Sequence, residues 1–209
     1  MLKLKLLPFH LMANLAAGDE AYLVTVYDLD GNQVKVLEHT AGFDGITWSP
    51  DGKYLAAGSE EGAVLLWNTD TWKKKKLEAG TTVNSLEFTK DSKKLIAAGK
   101  GQVAGEDDSY GSVKSWDAAN NWDVLFEIRA QEHSVKSVRL SPDEKTFAVS
   151  GAGNQLQIFS YPEAKELKTI DLPAYLEAVA YHPEGNFIFA GGQGETMYVF
   201  NAATYEQVA

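Results

Sequence analysis

Apolar and polar residues alternate with a period of two in short runs along this chain, and the runs recur in a unit of about 40 residues. The unit is clearest from Phe43 onward. Phe43 to Trp48 predicts a strand with Ile46 and Trp48 on one face. Ser49-Pro50-Asp51-Gly52 predicts a turn, because proline presets the second turn position and glycine accepts the backbone that follows. Tyr54 to Gly58 predicts a returning strand whose alanines allow close packing. Ser59 to Gly62 reads as a second turn, Val64 to Asn68 as a third strand ending in Trp67, and Trp72 to Glu78 as a fourth, more polar one.

The same phrase returns elsewhere. Leu15-Ala16-Ala17-Gly18, Leu55-Ala56-Ala57-Gly58 and Ile188-Phe189-Ala190-Gly191 are each followed nine residues on by an aromatic, Tyr27, Trp67 or Phe200. Leu95-Ile96-Ala97-Ala98-Gly99 and Phe147-Ala148-Val149-Ser150 are two further copies. The turn recurs as Thr89-Lys90-Asp91-Ser92, Ser141-Pro142-Asp143-Glu144 and His182-Pro183-Glu184-Gly185. Pro50 to Lys90 spans 40 residues and Pro142 to Pro183 spans 41, but Lys90 to Pro142 spans 52, so the third copy carries an insertion at Lys100 to Ser112. The expected organisation is one all-β domain over 1–209, with units at 1–40, 41–80, 81–131, 132–172 and 173–209. A unit this short cannot bury a core alone, so its neighbours must cover it.

Composition narrows the partners. The chain has 209 residues, a formal net charge of -10 and no cysteine. An acidic balance argues against nucleic acid as the main partner, since phosphate binding needs a basic stripe. Disulfides, thiolate nucleophiles and cysteine-ligated zinc are excluded. No apolar run reaches the ~18 residues of a membrane span, so no membrane partner is expected. Lys3 and Lys5 precede an apolar stretch from Leu6 to Leu15, but Pro8, His10 and Asn14 interrupt it, and Leu2, Leu4 and Leu6 alternate as an inner strand would. A strand is therefore expected there rather than a cleaved leader. A cytoplasmic location is expected, also because no Asn-x-Ser/Thr sequon occurs.

His39-Thr40, Ser49-Pro50-Asp51-Gly52, Leu55-Ala56-Ala57-Gly58 and Trp67-Asn68 together resemble a repeat of the WD40 (tryptophan–aspartate) family, and Trp116-Asp117 is a literal pair. The resemblance covers essentially the whole chain, with degenerate copies. It implies a β-propeller, each copy a four-stranded antiparallel blade stacked around a central channel. The family often ties a blade together with a buried set of histidine, serine or threonine, aspartate and tryptophan. Here His39 and Trp67 match, but Ala57 and Glu61 stand at the hydroxyl and aspartate positions. Other copies place Ala21, Gly153 and Gly194 at the aspartate and Tyr27, Phe159 and Phe200 at the tryptophan. His39, Pro50, Asp51, Trp67, Trp116, Asp117, Pro142 and Pro183 are the structural repeat residues. Propellers of this family commonly have more blades, and an outer strand from the far end of the chain usually closes them. Five copies running from an inner strand at Leu2 to Leu7 to an outer one at Tyr205 to Val208 leave either a small ring or an open arc. The arc is the expectation, with uncovered terminal blades available for self-association.

Catalytic chemistry is sparse. His10, His39, His133 and His182 fall at repeat-related positions without a second ligand at a recognised spacing. Neither a Gly-x-Ser-x-Gly elbow nor a phosphate loop occurs. No catalytic residue, metal ligand or cofactor is expected. Asp28-Leu29-Asp30-Gly31-Asn32 resembles part of a calcium loop but lacks the liganding glutamate, and reads as a turn. Lys73 to Lys76 reads as a solvated edge. The third-copy insertion places Glu106, Asp107 and Asp108 before Tyr110 on a loop, where function concentrates. These four, with His133 and Tyr175 in blade-connecting loops, are the candidate partner-binding residues. The expected function is a non-catalytic scaffold for protein–protein contacts. The alternatives are a fragment or protomer of a larger propeller assembly, and a propeller enzyme.

Overall fold

Five antiparallel sheets, met one after another along the chain, make up the computed structural model, which describes residues 14–18, 22–39, 41–102 and 108–208. The first holds β1 (Asn14–Gly18), β2 (Leu23–Asp28) and β3 (Gln33–Glu38). The second holds β4 (Phe43–Trp48), β5 (Tyr54–Ser59), β6 (Ala63–Asn68) and β7 (Lys74–Glu78). The third holds β8 (Thr82–Phe88), β9 (Lys94–Gln102), β10 (Ser109–Asp117) and β11 (Asp123–Glu132). The fourth holds β12 (Val135–Leu140), β13 (Thr146–Gly151), β14 (Gln155–Ser160) and β15 (Glu166–Asp171). The fifth holds β16 (Leu176–Tyr181), β17 (Phe187–Gly192) and β18 (Met197–Asn201), with a bridge from Phe200 to Gln207 beside it. Leu2 to Leu7, His10, Ala21 and Thr40 lie outside the described residues. The fourth strand of the second sheet starts at Lys74, because Trp72 takes a left-handed backbone (φ 54°) in the preceding turn.

The turns between the first two strands of the second, third and fourth sheets share one chemistry. Ser49 Oγ donates to Asp51 Oδ1 (2.8 Å) and accepts from Tyr54 N (2.9 Å), while Lys53 N donates to Asp51 Oδ1 (3.1 Å). Thr89 with Asp91 and Ser141 with Asp143 repeat the pattern in the third and fourth sheets. In the fifth, His182 Nδ1 accepts from Glu184 N at 3.3 Å in place of that pair. The Ser141 hydroxyl and the Lys145 N–H hold the Asp143 carboxyl below its ordinary range. Consecutive turns are also linked, since Asp51 N donates to Ser92 Oγ at 2.9 Å.

The core lies between sheets. Four apolar clusters fill the four interfaces between consecutive sheets. In each, one sheet presents one face of its strands and the next presents the other. Leu55, Ala57, Leu65 and Trp67 face the first sheet, whereas Ala56, Val64 and Leu66 face the third. The alternation read in the sequence is thus buried on both sides. Trp67, Trp116, Phe159 and Phe200 occupy the same place in successive sheets, and all are buried. The innermost strands β4, β8, β12 and β16 lie side by side.

A register shift interrupts each of these inner strands at the same point, between Phe43 and Gly45, Val83 and Ser85, Val135 and Ser137, and Leu176 and Ala178. Such a bulge presses the inner backbone against its partner strand. A Cβ on Gly99 would lie 1.5 Å from the Thr82 carbonyl oxygen, and one on Gly151 would lie 2.0 Å from that of Ser134. Gly99 and Gly151, with Gly192 in the fifth sheet (2.2 Å from the Tyr175 carbonyl oxygen), are therefore required by a close approach of backbone, whereas a Cβ on Gly18 or Gly58 would meet the side chain of Phe43 or Val83. Gly151→Ala is expected to destabilise the protein by about 1–3 kcal/mol, the usual range for overpacking. Gly31→Ala, where an added Cβ meets nothing within 4 Å, should cost only the ~1 kcal/mol of a left-handed backbone. Urea unfolding of both variants checks the order.

Candidate interaction surfaces

Two ends of the sheet stack differ in what they carry. At one end lie the turns just described and those joining third to fourth strands. At the other lie the hairpins between second and third strands and the connections from sheet to sheet. The insertion belongs to this second end, and it lengthens the sheet. Lys100 pairs with Gly111, Gly101 with Tyr110 and Gln102 with Ser109, and Tyr110 pairs in turn with Glu132. Strands β9, β10 and β11 run for 9, 9 and 10 residues, against 5 to 7 elsewhere. Three extra residues carry the edge outward by about 10 Å.

The candidate residues fall around this projection. Asp108 is exposed at its tip, and exposed His133 donates its backbone N–H to Ser109 O at 3.0 Å. Tyr110 is half-buried: the Arg129 guanidinium sits 4.1 Å from its ring centroid, and the ring lies where a Cβ on Gly101 would stand. A cation on the ring face fixes that side chain within its own sheet. Tyr175 is at the same end but one sheet further on, where its carbonyl accepts from Gln193 N at 2.9 Å. Glu106 and Asp107 lie outside the described residues.

The remaining chemistry-bearing side chains have local tasks. His39 is buried between Phe43 and Trp67, with ring centroids 5.1 and 6.2 Å away. Its Nδ1 lies 2.9 Å from Ala41 O, and burial pushes its pKa down, so the neutral ring donates from Nδ1. Nε2, at 3.4 Å from Ala57 O, faces a backbone carbonyl where the family pattern would have a hydroxyl. Asp28 Oδ1 accepts from Asp30 N and Asn32 N, and its Oδ2 from Asn32 Nδ2, so this stretch is a self-contained turn. Among the lysines, Lys75 departs from the expected solvated edge. Its Nζ donates to the Asn121 carbonyl and to Asn121 Oδ1 (2.8 Å), tying the second sheet to the third.

Sequence reading missed a polar seam between inner strands. β12 turns an edge with free backbone groups toward β8, and unpaired groups there would be costly. Three side chains of β8 satisfy them. Asn84 Nδ2 donates to Val135 O (2.6 Å), Ser85 Oγ accepts from Val138 N (3.2 Å), and Glu87 Oε2 accepts from Leu140 N (2.8 Å). Arg139 Nη1 reaches back to Ser85 Oγ at 3.1 Å. Glu87 keeps some exposed surface yet is enclosed on most sides. Burial pushes its carboxyl up to about 7, against the pull of Arg139 and the Leu140 N–H, and Glu144 adds to the upward push. The signal was present in the sequence: Glu87 stands between Leu86 and Phe88 where the second and fifth copies carry Thr47 and Ala180, and the fourth carries the oppositely charged Arg139.

Residues 31–68 match the family model described as WD domain, G-beta repeat. The matched stretch takes in β3 of the first sheet and β4, β5 and β6 of the second. Among curated relatives, the chain is 24 % identical over 177 residues to the telomerase protein component 1 of Mus musculus, covering 83 % of this chain and 6 % of that protein. It is 23 % identical over 177 residues to the actin-interacting protein 1 of Drosophila melanogaster (82 % and 28 %). It is 26 % identical over 199 residues to the WD repeat-containing protein 1 of Bos taurus (91 % and 30 %). The chain thus spans less than a third of the length of these relatives.

Glu87 sets a pH dependence whose sign is fixed. Its carboxyl is raised in the folded state, so its contribution is fully present below the unfolded value of about 4.3 and is lost as pH rises through about 7. Glu87→Gln keeps an acceptor for Leu140 N and removes the charge. Relative to the parent, it should gain stability progressively between pH 5 and pH 8, as denaturant midpoints at matched pH would record.

Proposed function

The chain belongs to the WD40-repeat family, and from that premise we propose that it is a non-catalytic scaffold that docks protein partners at the end carrying the sheet connections. The observation that carries this reading is the projecting third sheet. Paired strands extend past their neighbours, so residues 100–102 and 109–111 of the projection are held by backbone hydrogen bonds and by the Arg129–Tyr110 contact. A rigid projection loses little freedom on binding, which favours affinity. Asp108, with Glu132 beside it and Glu106 and Asp107 next in sequence, offers acidic contacts to a basic partner surface, and His133 adds an exposed imidazole. Tyr110 supports the ledge, and Tyr175 extends the same end. A non-catalytic role is supported by the use of His39 in packing and His182 in a turn.

A second reading rests on the end faces of the stack. Four cores serve five sheets among the described residues. The first sheet turns Leu15, Tyr27 and Val36 away from the second, and the fifth turns Phe189, Met197 and Val199 away from the fourth. Phe189, Met197 and Val199 stand on the same face as Ala148, Leu156 and Ile158 of the fourth sheet, which the fifth sheet covers. A second copy of the chain, added head to tail, meets each uncovered face with the kind of face that already covers its equivalents. Such a contact is heterologous and closes only if its rotation allows.

Two measurements test these readings. Replacing Gly101 to Gly111 with a short turn should leave the thermal midpoint within a few degrees and abolish recovery of the partners that the parent chain captures. Unchanged recovery of every partner would overturn the docking site. For the end faces, light scattering should give a mass that rises with concentration, and Met197→Glu, at a side chain 64 % exposed, should return it to one chain. A parent chain monomeric at all concentrations would rule out the second reading.

A further inference from the structure

The opposite end of the stack holds a cavity of about 520 Å³, where the turns of the fourth and fifth sheets meet. Its size falls in the ordinary range of ligand sites, roughly 300–1,000 Å³. Pro142, Asp143 and Thr146 line it from the fourth sheet, and Tyr181, Glu184 and Tyr205 from the fifth. Lys90 reaches its rim from the third sheet.

The lining points to one class of ligand. Two phenol rings and two carboxylates border the same space, and both ring faces and carboxylates attract cations. Tyr181 is anchored by its hydroxyl, 3.2 Å from Thr146 Oγ1, so the ring is held in place. Asp143 spends Oδ1 on Ser141 Oγ and Lys145 N, while Oδ2 meets the well-exposed Lys145 ammonium only at 3.8 Å. The one cation among the lining side chains, Lys90, turns its Nζ to the Pro142 carbonyl, while its backbone N–H donates to Glu144, and the two carboxylates of the lining outnumber it. Burial is the main push raising both tyrosines, and the Asp143 charge adds to it.

We propose that this cavity binds the side chain of an arginine or lysine in an extended segment of a partner protein, with Asp143 and Glu184 meeting the charge and Tyr181 and Tyr205 flanking its stem. The site lies at the far end from the projecting third sheet and is independent of it. One scaffold therefore holds two partner segments at once, both basic, at opposite ends of the stack.

The test uses the full chain and blocked tetrapeptides of Gly and Ala with one central Arg, Lys, Gln or Glu, followed by amide chemical shifts. The Arg and Lys peptides should shift residues 141–146, 181–185 and 202–205, the Gln and Glu peptides should not, and free arginine should bind more weakly than the peptide. Asp143→Asn should weaken Arg-peptide binding at least fivefold. Asp51→Asn, which alters the same turn in the second sheet, should leave it unchanged and controls for turn distortion. Equal binding of the Glu peptide or of inorganic phosphate would overturn the proposal. So would shifts confined to the end bearing Tyr110, or equal loss in the two Asn variants.

Discussion

Every sheet in this chain is too small to cover its own apolar residues, and the architecture answers to that constraint. A three- or four-stranded sheet with both faces apolar is unstable in water until something lies on each face. The chain solves this by stacking, so Trp67, Leu66 and their equivalents belong to two different cores on opposite sides of one sheet. Stability is then shared between neighbours, as in other arrays whose units contact only the next in line. Residues of the second strands must be small where the bulged inner strand approaches, and Gly99 and Gly151 mark those points.

Polar groups follow the same logic at shorter range. The buried set that the family often places inside each sheet is largely lost here, with Tyr27, Phe159 and Phe200 at the tryptophan position, and losing partners together costs less than orphaning one of them. Polar linkage has moved to the boundaries between sheets. Asn84, Ser85 and Glu87 cap the edge of β12, Lys75 reaches Asn121, and Asp51 bonds Ser92. These contacts orient one sheet on the next, a task that apolar packing alone performs loosely because it is not directional.

Local chemistry was legible in the sequence and long-range chemistry was not. The turn at Ser49 to Gly52 and its copies could be read because proline, aspartate and glycine act within a few residues. The first three strands of the second sheet fell within one residue of their predicted bounds, and the fourth began two residues late because Trp72 entered a left-handed turn. Glu87 stood out as a charge between Leu86 and Phe88, but its partner could not be read, since Glu87 and Leu140 lie 53 residues apart and meet only after stacking. The same holds for the cavity, whose walls come from three sheets. The insertion was legible as extra length, but its pairing into a longer ladder depended on β11 lengthening with it.

The stretch that matches the family model begins with the outer strand of one sheet and ends with the third strand of the next. Copying that stretch in tandem would insert a whole new layer, because each copied outer strand completes the sheet before it and the old outer strand completes the last. Removing one stretch would likewise close up without leaving a widowed strand. The offset therefore makes the layer number adjustable by single duplications, each yielding a product whose hydrogen-bond ladders are already complete.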